Sequence, residues 1–322
     1  MTTKLQKYFP MIQTREEVLA KIHSDKNLMW EFQSWEEEKR EEFLNFCTGV
    51  KGVKMLYDSF FKEVFHPEYA PERLNELLSF LIGMNVKIVT VLPNDSVRIA
   101  DESSLLIMDI VVELMDGSIA NVEIQKIGYM FPGERSACYS ADLLLRQYKR
   151  IRGVKGKRFS YKDIKTVYTI VFFEKSPREF QEYTKKYIHK FEQCSDTGIK
   201  LELLQKYIFI SLDIFKENQH NKDIDNKLNA WLIFLCMDEP EMIVKLIEVF
   251  PEFQVLYKEI YNLCCNIERV MEMFSKELME LDRNTAQYMI DVMQDTIDEK
   301  DRTIAEKDKE IERLIKLLDE KR

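Results

Sequence analysis

Residues 105–125, Leu-Leu-Ile-Met-Asp-Ile-Val-Val-Glu-Leu-Met-Asp-Gly-Ser-Ile-Ala-Asn-Val-Glu-Ile-Gln, constrain this chain more than any other stretch. Two runs rich in β-branched and apolar residues flank an Asp-Gly turn signal, the pattern of a β-hairpin. Asp109 interrupts the first run, with Leu105, Leu106, Ile107 and Met108 before it and Ile110, Val111 and Val112 after it. An ionised carboxylate in such a strand is costly unless something pairs with it. On the returning run Glu123 and Gln125 stand two apart, so both point to one face of the sheet. A carboxylate facing a Glu-x-Gln across two strands makes a cradle for a divalent metal.

That cradle depends on register. With a two-residue loop of Asp116 and Gly117, Met115 opposes Ser118, Asp109 faces Ile124, and Glu123 points to the other side. A three-residue loop, or a bulge at Gly117, instead brings Asp109, Glu123 and Gln125 onto one face. A type I turn followed by a left-handed glycine is the usual three-residue solution, and Met-Asp-Gly suits it. The metal reading therefore predicts a three-residue loop or a bulge.

The whole chain bounds the alternatives. Its 322 residues suffice for one large domain with additions, or for two domains. Nine glycines and eight prolines favour helix over long loops. A net charge of −9 confines any nucleic-acid site to a local patch. Six cysteines without CxxC spacing fit reduced thiols in a cytoplasmic protein, and four scattered histidines do not compose a zinc site. The N-terminus lacks the apolar core of a signal peptide, and no apolar stretch reaches the ~18 residues of a membrane helix.

Residues 1–50 read as a helical lead-in. Thr14 with Glu17, and Ser34 with Glu37, have capping-box spacing. A short amphipathic helix spans 54–65, where Asp58 and Lys62 are spaced for a surface ion pair. The next helix begins at Pro71, carries Leu74, Leu77, Leu78, Leu81 and Ile82 as its core stripe, and ends at Gly83. Strands follow at 86–92 and 97–100, then the hairpin, a helix over 134–150, and a strand over 164–173. A further β-like segment covers 207–213. The order predicts an α/β core over 51–215 with a mixed sheet flanked by helices, and a helical subdomain over 216–284.

Two charge patterns stand out. Arg146 to Arg158 holds seven basic residues and no acid. It reads either as a solvated helix end or as a patch that contacts phosphates without reading sequence. From 285 onward the chain is rich in Asp, Glu, Lys and Arg, with Ile290, Ile297, Ile304, Ile311 and Leu318 recurring every seven residues. That is a coiled-coil seam, with Lys300 and Lys307 at its middle d positions.

In its ordered motifs the chain resembles the PD-(D/E)XK nuclease superfamily. It more closely resembles the branch of PD-(D/E)XK nuclease family transposases related to recombination-promoting nucleases. The resemblance rests on Asp58-Ser-Phe-Phe-Lys-Glu-Val-Phe65, Ile107-Met-Asp-Ile-Val-Val-Glu113 and Gly117-Ser-Ile-Ala-Asn-Val-Glu-Ile-Gln125, and continues through Arg135, Tyr139 and Gln147. Trp231-Leu-Ile-Phe-Leu and Pro251-Glu-Phe extend it, so that it covers roughly residues 50–280. It implies a restriction-endonuclease-like core, to which the sequence pattern adds helical segments at both ends and a C-terminal coiled coil. It implies a DNA endonuclease of mobile-element type, hydrolysing phosphodiester bonds by metal-activated water, with Mg²⁺ as cofactor and Mn²⁺ as a substitute. Asp109 and Glu123 match the metal-binding acids, and Asp58 looks like the acid of the first core helix. Gln125 stands where the superfamily has Lys, and Met108 where it has Pro. Gln125 is no general base, and its expected role is to orient water or a phosphate oxygen. Arg135, Tyr139, Arg146, Gln147, Lys149, Arg150 and Arg152 are the expected DNA-contacting residues. The coiled coil is expected to pair protomers into a homo-oligomer. The alternative is a catalytically silent DNA-binding or assembly protein that keeps the fold.

Overall fold

Helix starts in the first fifty residues follow from cap chemistry. Thr3 opens α1 (Lys4–Tyr8) and Thr14 opens α2 (Arg15–Ser24), each through a reciprocal capping box. The Asp25 carboxylate accepts the first N–H groups of α3 (Lys26–Ser34), a cap the sequence reading had not singled out. Ser34 does not cap α4 (Glu37–Cys47). It is the last residue of α3, and its hydroxyl donates back to the Glu31 carbonyl at 2.6 Å. The Ser-x-x-Glu spacing was met without its geometry, because the preceding turn already claimed the hydroxyl.

The computed structural model describes residues 2–92, 110–126, 131–219 and 222–319. Asp109 and the strand expected over 97–100 lie outside them. The chain divides into two units, Met1–Leu278 and Met279–Arg322.

In the first unit, α5 (Asp58–Val64) is shorter than the predicted 54–65. Then α6 (Pro71–Ile82) starts on Pro71 and stops at Gly83, whose φ of +87° makes the left-handed C-cap. The central sheet contains β1 (Ile88–Leu92), β2 (Ile110–Leu114), β3 (Ile119–Gln125), β4 (Val167–Phe173), β5 (Ile188–Phe191) and β6 (Gln205–Ser211), in the order β1-β2-β3-β4-β6-β5. It is mixed, as the element order predicts: β3, β4 and β6 run parallel, while β1, β2 and β5 pair antiparallel. The long helix α7 (Pro132–Lys155) connects β3 to β4, and it begins and ends beyond the predicted 134–150. After α8 (Arg178–Gln181) comes β5, an edge strand of Ile-His-Lys-Phe with too little apolar patterning to be legible beforehand.

The hairpin settles its own register. Leu114 N–H donates to the Ser118 carbonyl at 2.8 Å, leaving Met115, Asp116 and Gly117 as a three-residue loop. Gly117 has φ of +85°, and both Asp116 oxygens are held by Ser118 at 2.9 Å. Ile110 opposes Val122 and Val111 opposes Asn121, so odd-numbered positions face odd-numbered ones. This is the register that the metal reading required.

Alternate residues then sort the two faces. Val112, Ala120, Val122, Ile170, Phe172, Ile208 and Ile210 join the main core. There they meet α5, α6, α9 (Leu212–Gln219), α10 (Lys227–Cys236), α11 (Pro240–Val249), α12 (Glu252–Cys264) and the first turns of α13 (Ile267–Asp319). The lead-in helices contribute Leu5, Phe9, Phe43 and Phe46 to the same cluster. The second unit is helical. Within it Ile290, Ile297, Ile304 and Ile311 keep 50–55% exposure, an apolar stripe along one helix.

Candidate active site

The opposite face of the sheet carries the candidate site. Along β3, Asn121, Glu123 and Gln125 alternate with the core residues and point to the side that α7 covers. Two apolar clusters bracket them. Val111, Ile119 and Val167 pack under Tyr139 and Leu143 of α7. Val171, Phe173 and Phe209 pack with Phe180 and Ile214. Thr169 sits beside Asn121 on β4, and Ser211 shares the far end of the stripe on β6.

Glu123 and Gln125 are each only 5% exposed. Asn121 Nδ2 donates to Glu123 Oε1 at 2.9 Å, which orients the carboxylate. Asn121 Oδ1 and Gln125 Oε1 are buried and, among the described residues, have no hydrogen-bond partner. Leaving such an oxygen unsatisfied costs about 1–3 kcal/mol, so these oxygens keep acceptor capacity for a water or an ion. The donors are all hard oxygens, the set that Mg²⁺ prefers. Asn121 is the residue the sequence reading missed, although its position two before Glu123 puts it on the same face. Among the described residues no group of three His, Cys, Asp or Glu is placed to hold a metal.

Asp58 is organised differently. It opens α5, its Oδ2 pairs with Lys62 Nζ at 2.7 Å, and its buried Oδ1 has no hydrogen-bond partner among the described residues. Its backbone N–H donates to Glu277 Oε2 at 2.9 Å. Glu277, fully buried on α13, also holds Lys126, the residue that follows Gln125. Asp58 is thus tied to the end of β3 through Glu277 and Lys126. Glu174 lies nearby, because its backbone N–H donates to the Gln125 carbonyl at 2.8 Å. Burial pushes the Glu174 carboxyl up, against the opposing pull of Lys54, Lys126 and Lys175.

The basic helix is partly structural. Gln147, expected to contact DNA, is 1% exposed, and its Oε1 accepts the Lys165 N–H at 2.5 Å, latching α7 to the lead into β4. Tyr139 is 5% exposed in the cluster over β3, where Arg135 reaches its hydroxyl at 3.3 Å. Both residues lie on the face of α7 that packs toward the sheet. Arg146 pairs with Asp142 at 2.7 Å, and Arg150 with Glu113 of β2. Lys149, Arg150 and Arg152 lie on the exposed side.

No described helix is long and apolar enough to cross a membrane. No curated protein and no solved structure matches the chain. One protein family does, and it spans the sheet, α7 and the helices that close the core. The match covers residues 55–294, well over half of the chain, so this protein belongs to the PD-(D/E)XK nuclease family transposases.

Proposed function

We propose that this protein is a Mg²⁺-dependent DNA endonuclease of mobile-element type, acting in the cytoplasm. The observation that carries the reading is the row of buried oxygens that Asn121, Glu123 and Gln125 present on one face of β3, set opposite the odd-numbered positions of β2 by the odd-to-odd register of the hairpin. Continued by one residue, that register would bring Asp109 opposite Glu123. Asp109 and Glu123 would hold the ion, with Asn121 fixing the Glu123 carboxylate. Mg²⁺, or Mn²⁺ in its place, supplies Lewis-acid charge that activates water and offsets charge building on the phosphate.

The chain's own residues supply the rest. Gln125 is neutral and takes up no proton, so its amide orients water or a phosphate oxygen. Asp58, with one buried oxygen unpartnered among the described residues, is the second acid. Lys149, Arg150 and Arg152 contact the backbone without reading bases. The exposed heptad stripe of the second unit pairs protomers into a homo-oligomer, which suits the cutting of two strands.

Nicking of supercoiled plasmid in Mg²⁺ tests this, with wild type compared against Asp109→Ala and Glu123→Ala at matched folding. Cutting by wild type alone is expected. Equal cutting by all three proteins would place the activity elsewhere. Silence from wild type in both Mg²⁺ and Mn²⁺ would favour a DNA-binding protein that keeps the fold without the reaction.

A further inference from the structure

We propose that the C-terminal end of α7 and the turn after it form a site for single-stranded DNA, in which an unpaired base stacks on Tyr161. The proposal rests on the reading of DNA as substrate and narrows it to a form of DNA. Three aromatic rings gather here. Tyr148 and Tyr161 lie nearly parallel, with 6.2 Å between ring centroids and 10° between planes. The Phe159 ring stands edge-on to both at 5.4 Å. Arg152 lies 5.5 Å from the Tyr148 centroid and also donates to its hydroxyl.

A cluster that served only to pack the turn would cover its rings. Tyr148 and Phe159 are half-buried, but Tyr161 keeps 76% of its exposure. The turn that presents it is held at both ends. Asp163 accepts from the Ser160 N–H at 2.8 Å and from Lys155 at 2.5 Å. Just beyond, Ile164 is buried and Lys165 is fastened to Gln147. The ring is therefore preorganised, and little ordering cost falls on a ligand that stacks there.

Charge specifies the ligand. Residues 146–165 carry nine basic side chains and one acid, Asp163, which the turn already uses. Lys149, Lys157, Arg158, Lys162 and Lys165 are exposed and, among the described residues, have no ion-pair partner. Cations alone would suit the backbone of a duplex, whose base faces are covered by their neighbours. An exposed ring among cations suits a strand whose bases are open, because every base has a face to stack and every phosphate a charge to meet. The patch also lies toward the start of β3. Arg150 grips Glu113, which opposes Ile119, and Ile119 is four residues, about 13 Å, from Glu123. A strand held here is gripped away from the bond to be cut.

The test is equilibrium binding in EDTA, so that cleavage plays no part. A fluorescent 20-nucleotide DNA is used single-stranded, as a duplex, and as the equivalent RNA. Wild type is expected to bind the single strand more tightly than the duplex. Tyr161→Ala is expected to lose about tenfold or more on the single strand and little on the duplex, with Tyr161→Phe close to wild type. Unchanged single-strand affinity in Tyr161→Ala, equal losses on both forms, or equal losses in Tyr161→Ala and Tyr161→Phe would overturn the proposal. Tighter binding of RNA would overturn its DNA assignment. The two readings fail separately. A plasmid-nicking protein indifferent to Tyr161 removes the stacking site and keeps the nuclease. A protein that binds single strands through Tyr161 but never cuts does the reverse.

Discussion

Lys126 and Glu277, 151 residues apart in the chain, meet in an ion pair whose side chains keep 6% and 0% of their exposure. Glu277 also accepts the N–H of Asp58, so one carboxylate of α13 joins the start of α5 to the end of β3. Removing one partner of a buried pair leaves an uncompensated charge and costs about 3–5 kcal/mol. Glu277→Ala is therefore expected to lower the unfolding free energy by that order in urea titration. The double variant Lys126→Met, Glu277→Met is expected to recover part of the loss. A single variant as stable as wild type would mean that water already reaches the pair.

A second charge cluster predicts acid sensitivity. Burial would raise the Glu42 carboxyl, but hydrogen bonds from Lys54, Tyr57 and Lys39 outweigh it and hold the group at about 2, against an ordinary value of 4.5. A carboxylate lowered on folding stabilises the protein above its unfolded value, and that stability is lost as pH falls through the folded one. Wild type should accordingly lose stability between pH 4.5 and about 2 through Glu42. Glu42→Gln should flatten that part of the curve, measured as urea midpoint against pH. A curve of unchanged slope would show that Glu42 is not a source of the acid response.

Asn121 should tune the metal rather than the fold. Residues that hold a ligating carboxylate in place typically contribute 10- to 100-fold to metal affinity or activity. Asn121→Ala is expected to raise the Mg²⁺ concentration needed for half-maximal nicking by about that factor, with a cooperative unfolding transition retained. If the Mg²⁺ dependence does not move, the hydrogen bond to Glu123 is purely structural.

The heptad stripe should govern assembly. Ile297 and Ile304 are 50% and 55% exposed, in a row that only another helix would cover. Wild type is expected to sediment as an oligomer, and Ile297→Lys with Ile304→Lys as a monomer whose first unit still melts cooperatively. A monomeric wild type would leave the stripe as one face of a solvated helix.

Much of this protein is local and was legible in the chain. Turn chemistry at Met115-Asp116-Gly117 determined the parity of the hairpin, because a left-handed glycine closes a three-residue loop. The two-residue spacing of Glu123 and Gln125 puts them on one face of β3, and the parity of the loop sets the odd-numbered positions of β2 opposite them. The capping box at Thr14, the Pro71-to-Gly83 helix and the seven-residue repeat likewise depend on neighbours within a turn or two. The tertiary structure decided what depends on distant neighbours. Gln147 and Tyr139 carry the same spacing whether they face DNA or the sheet, and packing of α7 turned them inward. Ser34 lost its cap role to the preceding turn, and β5 formed on an edge that its four residues do not advertise. Lys126 could have stood in for the absent lysine of the motif. Instead the alternation that points Gln125 into the site turns Lys126 away from it, to a carboxylate that only the folded chain brings near.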